Sequence, residues 1–289
     1  MEGAVSREVV CELGYGAEKA SFSLKSDWAV LTNAAPLQLV AGRVQMFHTV
    51  SMRIYEHLSQ VYDIGWCGFA EQYVSLVSQL LGEYGIAQAR ILDLACGTGI
   101  LAISLAGQGH IVRGIDISPE MVALAKSKSV GIPNLSFEVQ DMTKFVIPGR
   151  FDLITCTFDS LNYVLNSHGL RAMFGRVARS LAKSGLFLFD SNTSQHYMNV
   201  GNGSRKMELG GHSFVHTWRY DSTKKEAITT FEFADGSRET HHQQPYDLSQ
   251  LGPILADVGL RAAHTWSGFD RSPYNAQSPR LFCVAQKDT

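Results

Sequence analysis

No apolar run in these 289 residues reaches membrane-spanning length, and the first 45 residues lack a basic segment followed by an apolar core, so neither a transmembrane helix nor a secretory leader is expected. A dominant charge is also missing. Lys and Arg total 25 against 27 Asp and Glu, a net charge of −2, which gives no electrostatic footprint for nucleic acid or an anionic membrane. Cysteine is sparse, odd in number and scattered: Cys11, Cys67, Cys96, Cys156 and Cys283 contain no CxxC pair, so neither a disulfide framework nor a zinc site is suggested. His168, His212 and His216 have no further ligands nearby in sequence, and no metal is expected. Together these absences point to a reducing cytoplasm and a small ligand. The oligomeric state is left open.

What the chain does have is alternation. Residues 91–95, 111–116, 135–139, 151–157 and 185–190 read as strands with helices between them, and Ser118-Pro119-Glu120 supplies an N-cap and a first-position proline for one of those helices. Strand and helix in turn imply an α/β, doubly wound, mostly parallel sheet with helices on both faces. Upstream, Ile54, Tyr55, Leu58, Val61 and Tyr62 share one helical face and Tyr73, Val74, Val77, Leu80 and Leu81 another, with a break at Tyr62-Asp63-Ile64-Gly65. Two helices over 46–85 are therefore expected to form an N-terminal helical lid. Late in the chain, residues 212–220, 227–233 and 239–244 alternate or run apolar around the Asp235-Gly236 turn, predicting an antiparallel β insertion from about 198 to 246. A helix over 248–256 and strands over 262–267 and 281–285 would complete a seven-stranded sheet. Residues 1–45 form an extension of unclear role, and residues 46–289 form one domain.

The densest signal is Ile91-Leu92-Asp93-Leu94-Ala95-Cys96-Gly97-Thr98-Gly99, an apolar strand that ends in an acid and a turn with two glycines. Glycine lets the backbone pass close to a ligand, and strand, glycine turn and helix together are how an α/β sheet holds an adenosine-containing cofactor. The neighbouring strand ends in Asp116, placed to accept from both ribose hydroxyls, and Gln140-Asp141-Met142 follows the third. Gly97-Thr98-Gly99-Ile100-Leu101-Ala102 also satisfies the dinucleotide pattern GxGxxA, so a nicotinamide-dependent oxidoreductase is an alternative. Against it stand the acid on strand one, Asp141, the helices before strand one and an antiparallel last strand.

These segments, with Phe158-Asp159-Ser160-Leu161-Asn162-Tyr163 after strand four, resemble the motifs of class I S-adenosylmethionine-dependent methyltransferases over about residues 54–286. Within that superfamily they are most similar to small-molecule enzymes, including those acting on amines. The resemblance implies a methyl transfer from S-adenosyl-L-methionine to a nitrogen or oxygen of a small-molecule acceptor, in an enzyme with neither nucleic acid nor membrane as partner. A fold that keeps the cofactor for a rearrangement or cyclisation is the alternative. By the same resemblance Gly97 and Gly99, with Ala95, line the methionine part and Asp93 holds the loop or the amino group. Asp116 binds the ribose, Ile117 and Met121 sandwich the adenine, and Asp141 with Met142 fixes its edge. Phe158 lies beside the sulfonium and Tyr62 closes from the other side; Trp66 joins them as an aromatic face for positive charge.

An amine or hydroxyl acceptor must lose a proton, and Tyr163 is the first candidate for base or orienting group. Related sugar-amine enzymes carry a His at its place. Tyr55, seven residues before Tyr62 on the same helical face, reaches the pocket from the lid or belongs to the core. His241 and His242 are consecutive on a strand, so one faces inward. Relatives often read H-x-Q-R-x-Y where this chain has His241-His242-Gln243-Gln244-Pro245-Tyr246, and without the arginine at Gln244 no carboxylate fork is expected there.

Overall fold

The computed structural model describes residues 51–288. A short strand β1 (Ser51–Met52) and a run of turns lead to α1 (Ser59–Glu83), then β2 (Arg90–Leu94), α2 (Ile100–Gly107), β3 (Ile111–Asp116), α3 (Pro119–Lys128), β4 (Leu135–Val139) and β5 (Phe151–Cys156). A 3-10 turn (Ser160–Tyr163), α4 (Ser167–Ser180), β6 (Leu181–Asn192) and α5 (Ser194–Val200) follow. The chain then makes β7 (Gly203–Leu209), β8 (His212–Asp221), β9 (Glu226–Phe233) and β10 (Arg238–Gln243), and ends with α6 (Leu248–Ala256), β11 (Leu260–Ser267), β12 (Ser272–Pro273) and β13 (Arg280–Lys287).

The main sheet has the order β12-β11-β13-β6-β5-β2-β3-β4. Pairings from β6 through β4 are parallel, whereas β13 runs antiparallel to both β6 and β11. These are the seven expected strands, with the two-residue β12 added at one edge. Successive residues point to opposite faces, so Leu92, Ile154, Phe187 and Phe189 enter a core with α4 and α6, while Ile91, Leu153, Leu186 and Leu188 enter a second core with α1, α2 and α3. Burial on both faces explains why these strands read as nearly unbroken apolar runs. Ser118 caps α3 as its spelling suggests, accepting from Met121 N with Pro119 in the first turn.

The insertion is a separate five-stranded sheet, order β1-β10-β9-β8-β7, in which β7 to β10 are antiparallel and β1 pairs parallel with β10. β7 was not legible as a strand. One face of this sheet buries Phe214, Phe231 and Phe233 against Leu58 and Val61.

One expectation about the order of helices and strands fails within the described residues. The predicted pair of helices is a single helix, α1, which runs without interruption through Tyr62-Asp63-Ile64-Gly65, while residues 54–58 form turns. Gly65 is not a breaker here: a Cβ on it would lie 3.2 Å from Leu209 Cδ1, so it brings the helix close to β7. Tyr62 and Trp66 pack on the same aromatic cluster, and tertiary packing outweighs the local cost of one helical glycine. The extension 1–45 and the first residues of the lid, 46–50, lie outside the described residues.

Candidate active site

The turn after β2 takes unusual backbone angles. Ala95, Gly97 and Gly99 have φ of 53°, 54° and 82°, in the left-handed region that side chains disfavour. The two glycines are required for different reasons. A Cβ on Gly99 would sit 2.7 Å from Phe137 Cζ, so this residue lets α2 start close against β4, and Gly99 does not line the cavity. A Cβ on Gly97 would meet nothing within 4 Å, and its backbone faces the cavity. Gly97 N–H donates to Asp116 Oδ2 at 2.8 Å and Ser118 N–H to Asp116 Oδ1 at 2.9 Å, so the acid at the tip of β3 braces the neighbouring turn. Burial raises its pKa above the ordinary carboxylate range.

The cavity above the strand tips is lined by Asp93, Ala95, Gly97, Asp116, Ile117, Met121, Met142 and Phe158 from the main sheet and its loops, by Tyr55, Tyr62 and Trp66 from the N-terminal side, and by Tyr163, with Cys96, Thr98, Thr157 and Ser160 between them. No Lys, Arg or His is among the described lining residues. Asp93 is buried, accepts from Thr155 Oγ1 at 2.7 Å and is pushed up to about 7 by burial, with Asp116 adding to the effect. Ile117 is 57% exposed although it is apolar, whereas Met121 is buried. Tyr62 stacks on Trp66 with ring centroids 5.3 Å apart. Asp63 accepts from Thr98 Oγ1 and pairs with Lys128 Nζ at 2.6 Å, tying α1 to the glycine turn and to α3.

Asp141 is not brought to this cavity. Its Oδ1 accepts from Thr143 N and Thr143 Oγ1, both at 2.7 Å, and its other oxygen lies 3.3 Å from Lys144 Nζ. Burial acts to raise its pKa, but the Thr143 hydrogen bonds and Lys144 outweigh it and hold the carboxyl low. The acid after β4 closes its own turn, and only its neighbour Met142 faces the site.

A line of hydrogen bonds leaves the cavity. Tyr55 Oη and Tyr163 Oη are 2.8 Å apart, Tyr163 Oη lies 2.9 Å from His241 Nδ1, and His241 Nε2 lies 3.4 Å from Glu239 Oε2. His241 is buried behind the two tyrosines, whereas His242 faces outward with Nδ1 2.8 Å from Glu226. Burial raises both tyrosine pKa values well above 10, so at neutral pH neither phenol is ionised. Tyr163 is fixed through the adjacent Asn162, whose Nδ2 donates to the carbonyls of Asn192 and Gln244 at 2.9 and 2.7 Å and whose Oδ1 accepts from Asn192 N at 2.9 Å. Phe158 and Asp159, at φ 60° and 47°, are held in their turn by Arg280, which contacts Asp159 at 3.2 Å and the fully buried Asp190 at 2.9 Å.

Glu239, Thr98 and Ser160 escaped the sequence reading. For Glu239 a faint signal existed, since it stands two residues before His241 and therefore on the same strand face.

A family model described as "Methyltransferase domain" matches residues 91–185. "Putative methyltransferase YqeM" of Bacillus subtilis (strain 168) is 30% identical over 246 residues, covering 81% of this chain and 97% of that protein. The dTDP-3-amino-3,6-dideoxy-alpha-D-glucopyranose N,N-dimethyltransferase of Streptomyces fradiae is 24% identical over 203 residues, covering 66% of this chain and 77% of its own. Among solved structures, a S-adenosylmethionine-dependent methyltransferase from Clostridium acetobutylicum ATCC 824 shares the fold with a TM-score of 0.69 at 22% identity, covering 81% of this chain and 99% of that one. With the strand order, the braced glycine turn and a relative of near-complete coverage in agreement, the chain belongs to the class I S-adenosylmethionine-dependent methyltransferases and is an enzyme that uses S-adenosylmethionine.

Proposed function

We propose that this enzyme methylates a proton-bearing nitrogen of a small-molecule amine in the cytoplasm, with nucleic acid and membrane excluded as substrates. The observation that carries the reading is the hydrogen-bonded line from the cavity through Tyr163 to the buried His241, a route for the proton that an amine loses on methylation. Two further features support it. Among its described lining residues the cavity holds two acids and aromatic faces but no cation, a setting that suits an amine better than a carboxylate. The Streptomyces relative is named for N,N-dimethylation of an amino sugar.

The residues present fit the cofactor. Gly97 leaves open space where a side chain would stand, Asp116 has acceptor capacity beyond its two backbone donors, and Ile117 offers uncovered apolar surface. Asp116 is assigned to the ribose, Ile117, Met121 and Met142 to the adenine, and Gly97, Ala95 and Asp93 to the methionine end. When bound, S-adenosylmethionine supplies a methyl carbon on cationic sulfur, open to in-line displacement by a lone pair. Phe158, Tyr62 and Trp66 then exclude water and present ring faces to positive charge, and Tyr55 and Tyr163 orient the acceptor. In domain terms, α1 and the stretch before it act as the lid and residues from about 198 to 246 as the acceptor side.

The test is isotopically labelled methyl donor offered with panels of amines, alcohols and carboxylic acids. Labelled N-methyl product with one S-adenosylhomocysteine released per transfer is expected. Methylation confined to carboxylic acids, or acceptor turnover without S-adenosylhomocysteine, would overturn the reading. Tyr163→Phe should lower turnover with S-adenosylhomocysteine affinity near wild type.

A further inference from the structure

The most densely engaged buried acid outside the cavity is Glu239. It is 0% exposed, and its side chain is surrounded by donors. Oε1 accepts from the backbone N–H of His57 and, at 2.9 Å, from that of Leu58; Oε2 accepts from Tyr55 N–H at 2.8 Å and faces His241 Nε2 at 3.4 Å. A carboxylate with three backbone donors is held ionised; burial opposes this, but the hydrogen bonds from His241, His57 and Leu58 prevail and its pKa is lowered. An ionised carboxylate only accepts. The proton on His241 must therefore sit on Nε2, which leaves Nδ1 as an acceptor when the ring is neutral. Nδ1 then takes the Tyr163 hydroxyl proton, and the Tyr163 oxygen is left to accept from Tyr55. Tyr55, Tyr163 and His241 then donate in one direction, toward Glu239.

The geometry points to Glu239 as the positioning residue of the transfer: it fixes the tautomer that makes His241 the terminal proton acceptor, and with the same carboxylate it docks the segment that carries Tyr55. Resting on the amine-methylation reading, the step balances as two concerted moves. The acceptor's nitrogen gives its proton to the Tyr163 oxygen, the Tyr163 proton passes to His241 Nδ1, and the imidazolium so formed faces Glu239. Tyr163 ends neutral, as its raised pKa demands. Docking of residues 53–58 and readiness to take the proton are then one event, because both draw on a single buried group. Tyr55 itself is held at φ 65°, a backbone state that needs such an anchor.

The test reads the histidine directly. In wild-type protein labelled with 15N-histidine, the neutral His241 signal, assigned by its loss in His241→Gln, should show the Nε2–H tautomer. In Glu239→Gln the amide oxygen can remain on the His57 and Leu58 donors only by turning its NH2 toward Tyr55 N–H and His241, which drives His241 to the Nδ1–H tautomer. That variant should lose kcat on the order of 100-fold, the low end of general-base contributions, while S-adenosylhomocysteine binds within about twofold of wild type. A wild-type Nδ1–H tautomer, or a Glu239→Gln protein with unchanged tautomer and turnover, would overturn the assignment. The wild-type spectrum decides even if the variant does not fold. If amines prove not to be acceptors while the tautomer reads as expected, the substrate reading fails and the Glu239 assignment stands.

Discussion

Replacing Asp116 by alanine separates the two tasks of this carboxylate. In the protein alone, its oxygens satisfy Gly97 N–H at 2.8 Å and Ser118 N–H at 2.9 Å. A hydrogen bond to a charged group contributes about 1.5–3 kcal/mol, so losing both sets a ceiling near 6 kcal/mol. Two effects bring the net figure down. Gly97 faces the cavity, where water can take over as its partner, and removing a carboxylate that burial disfavours returns part of the loss. A destabilisation of about 2–3 kcal/mol remains, or roughly 4–12 °C in Tm for a domain of this size. Binding should suffer independently, because the ribose then loses its anionic partner; the same 1.5–3 kcal/mol corresponds to about 10- to 150-fold weaker S-adenosylhomocysteine. Urea denaturation measures the first quantity and titration calorimetry the second. Asp116→Asn keeps one oxygen for a backbone donor and should recover about half the stability while still binding weakly. An alanine variant that binds S-adenosylhomocysteine like wild type refutes the ribose assignment, and one with an unshifted urea midpoint refutes the bracing role.

The paired glycines should separate in the same assays. Gly97→Ala costs about 1–2 kcal/mol of left-handed strain but mainly weakens cofactor binding, whereas Gly99→Ala adds overpacking against Phe137 and costs about 2–5 kcal/mol of stability, seen in urea midpoints. Asp93 is raised from 3.8 to about 7, so the stability it contributes is present in full below pH 4 and is lost as the pH climbs through about 7. Comparing wild type with Asp93→Asn by urea denaturation at several pH values, the variant should lose less stability between pH 4 and 7; parallel curves would refute the raised pKa.

The architecture was readable because the central strands β2, β5 and β6 carry apolar runs and strand alternates with helix, a pattern set within a few residues of chain. The single α1 was not, because Gly65 looks like a break locally and is required by Leu209, which lies far along the chain in β7. Asp141 shows the same limit at the level of the site: the spelling after β4 suits a ligand contact, yet Thr143 two residues later takes the carboxylate for the turn. Glu239 fails in the opposite direction. Its meaning comes from backbone donors at residues 55–58, and nothing in a strand spelled Arg-Glu-Thr-His-His-Gln announces them. Likewise the GxGxxA match reflected turn chemistry that different adenosine-binding folds share, and did not identify the cofactor.

The insertion strands form their own sheet and share no ladder with the main one. In evolutionary terms that is a division of labour. Main-sheet loops carry the glycine turn and Asp116, whereas the inner face of β8, β9 and β10 seats Leu58, Val61 and the segment before α1, so a change there acts on that segment and not on a ladder of the main sheet. Drift in the insertion would therefore reach the acceptor through Tyr55 and Tyr163 rather than by direct contact, since none of the described cavity-lining residues comes from residues 203–243, while the donor's turn stays as it is.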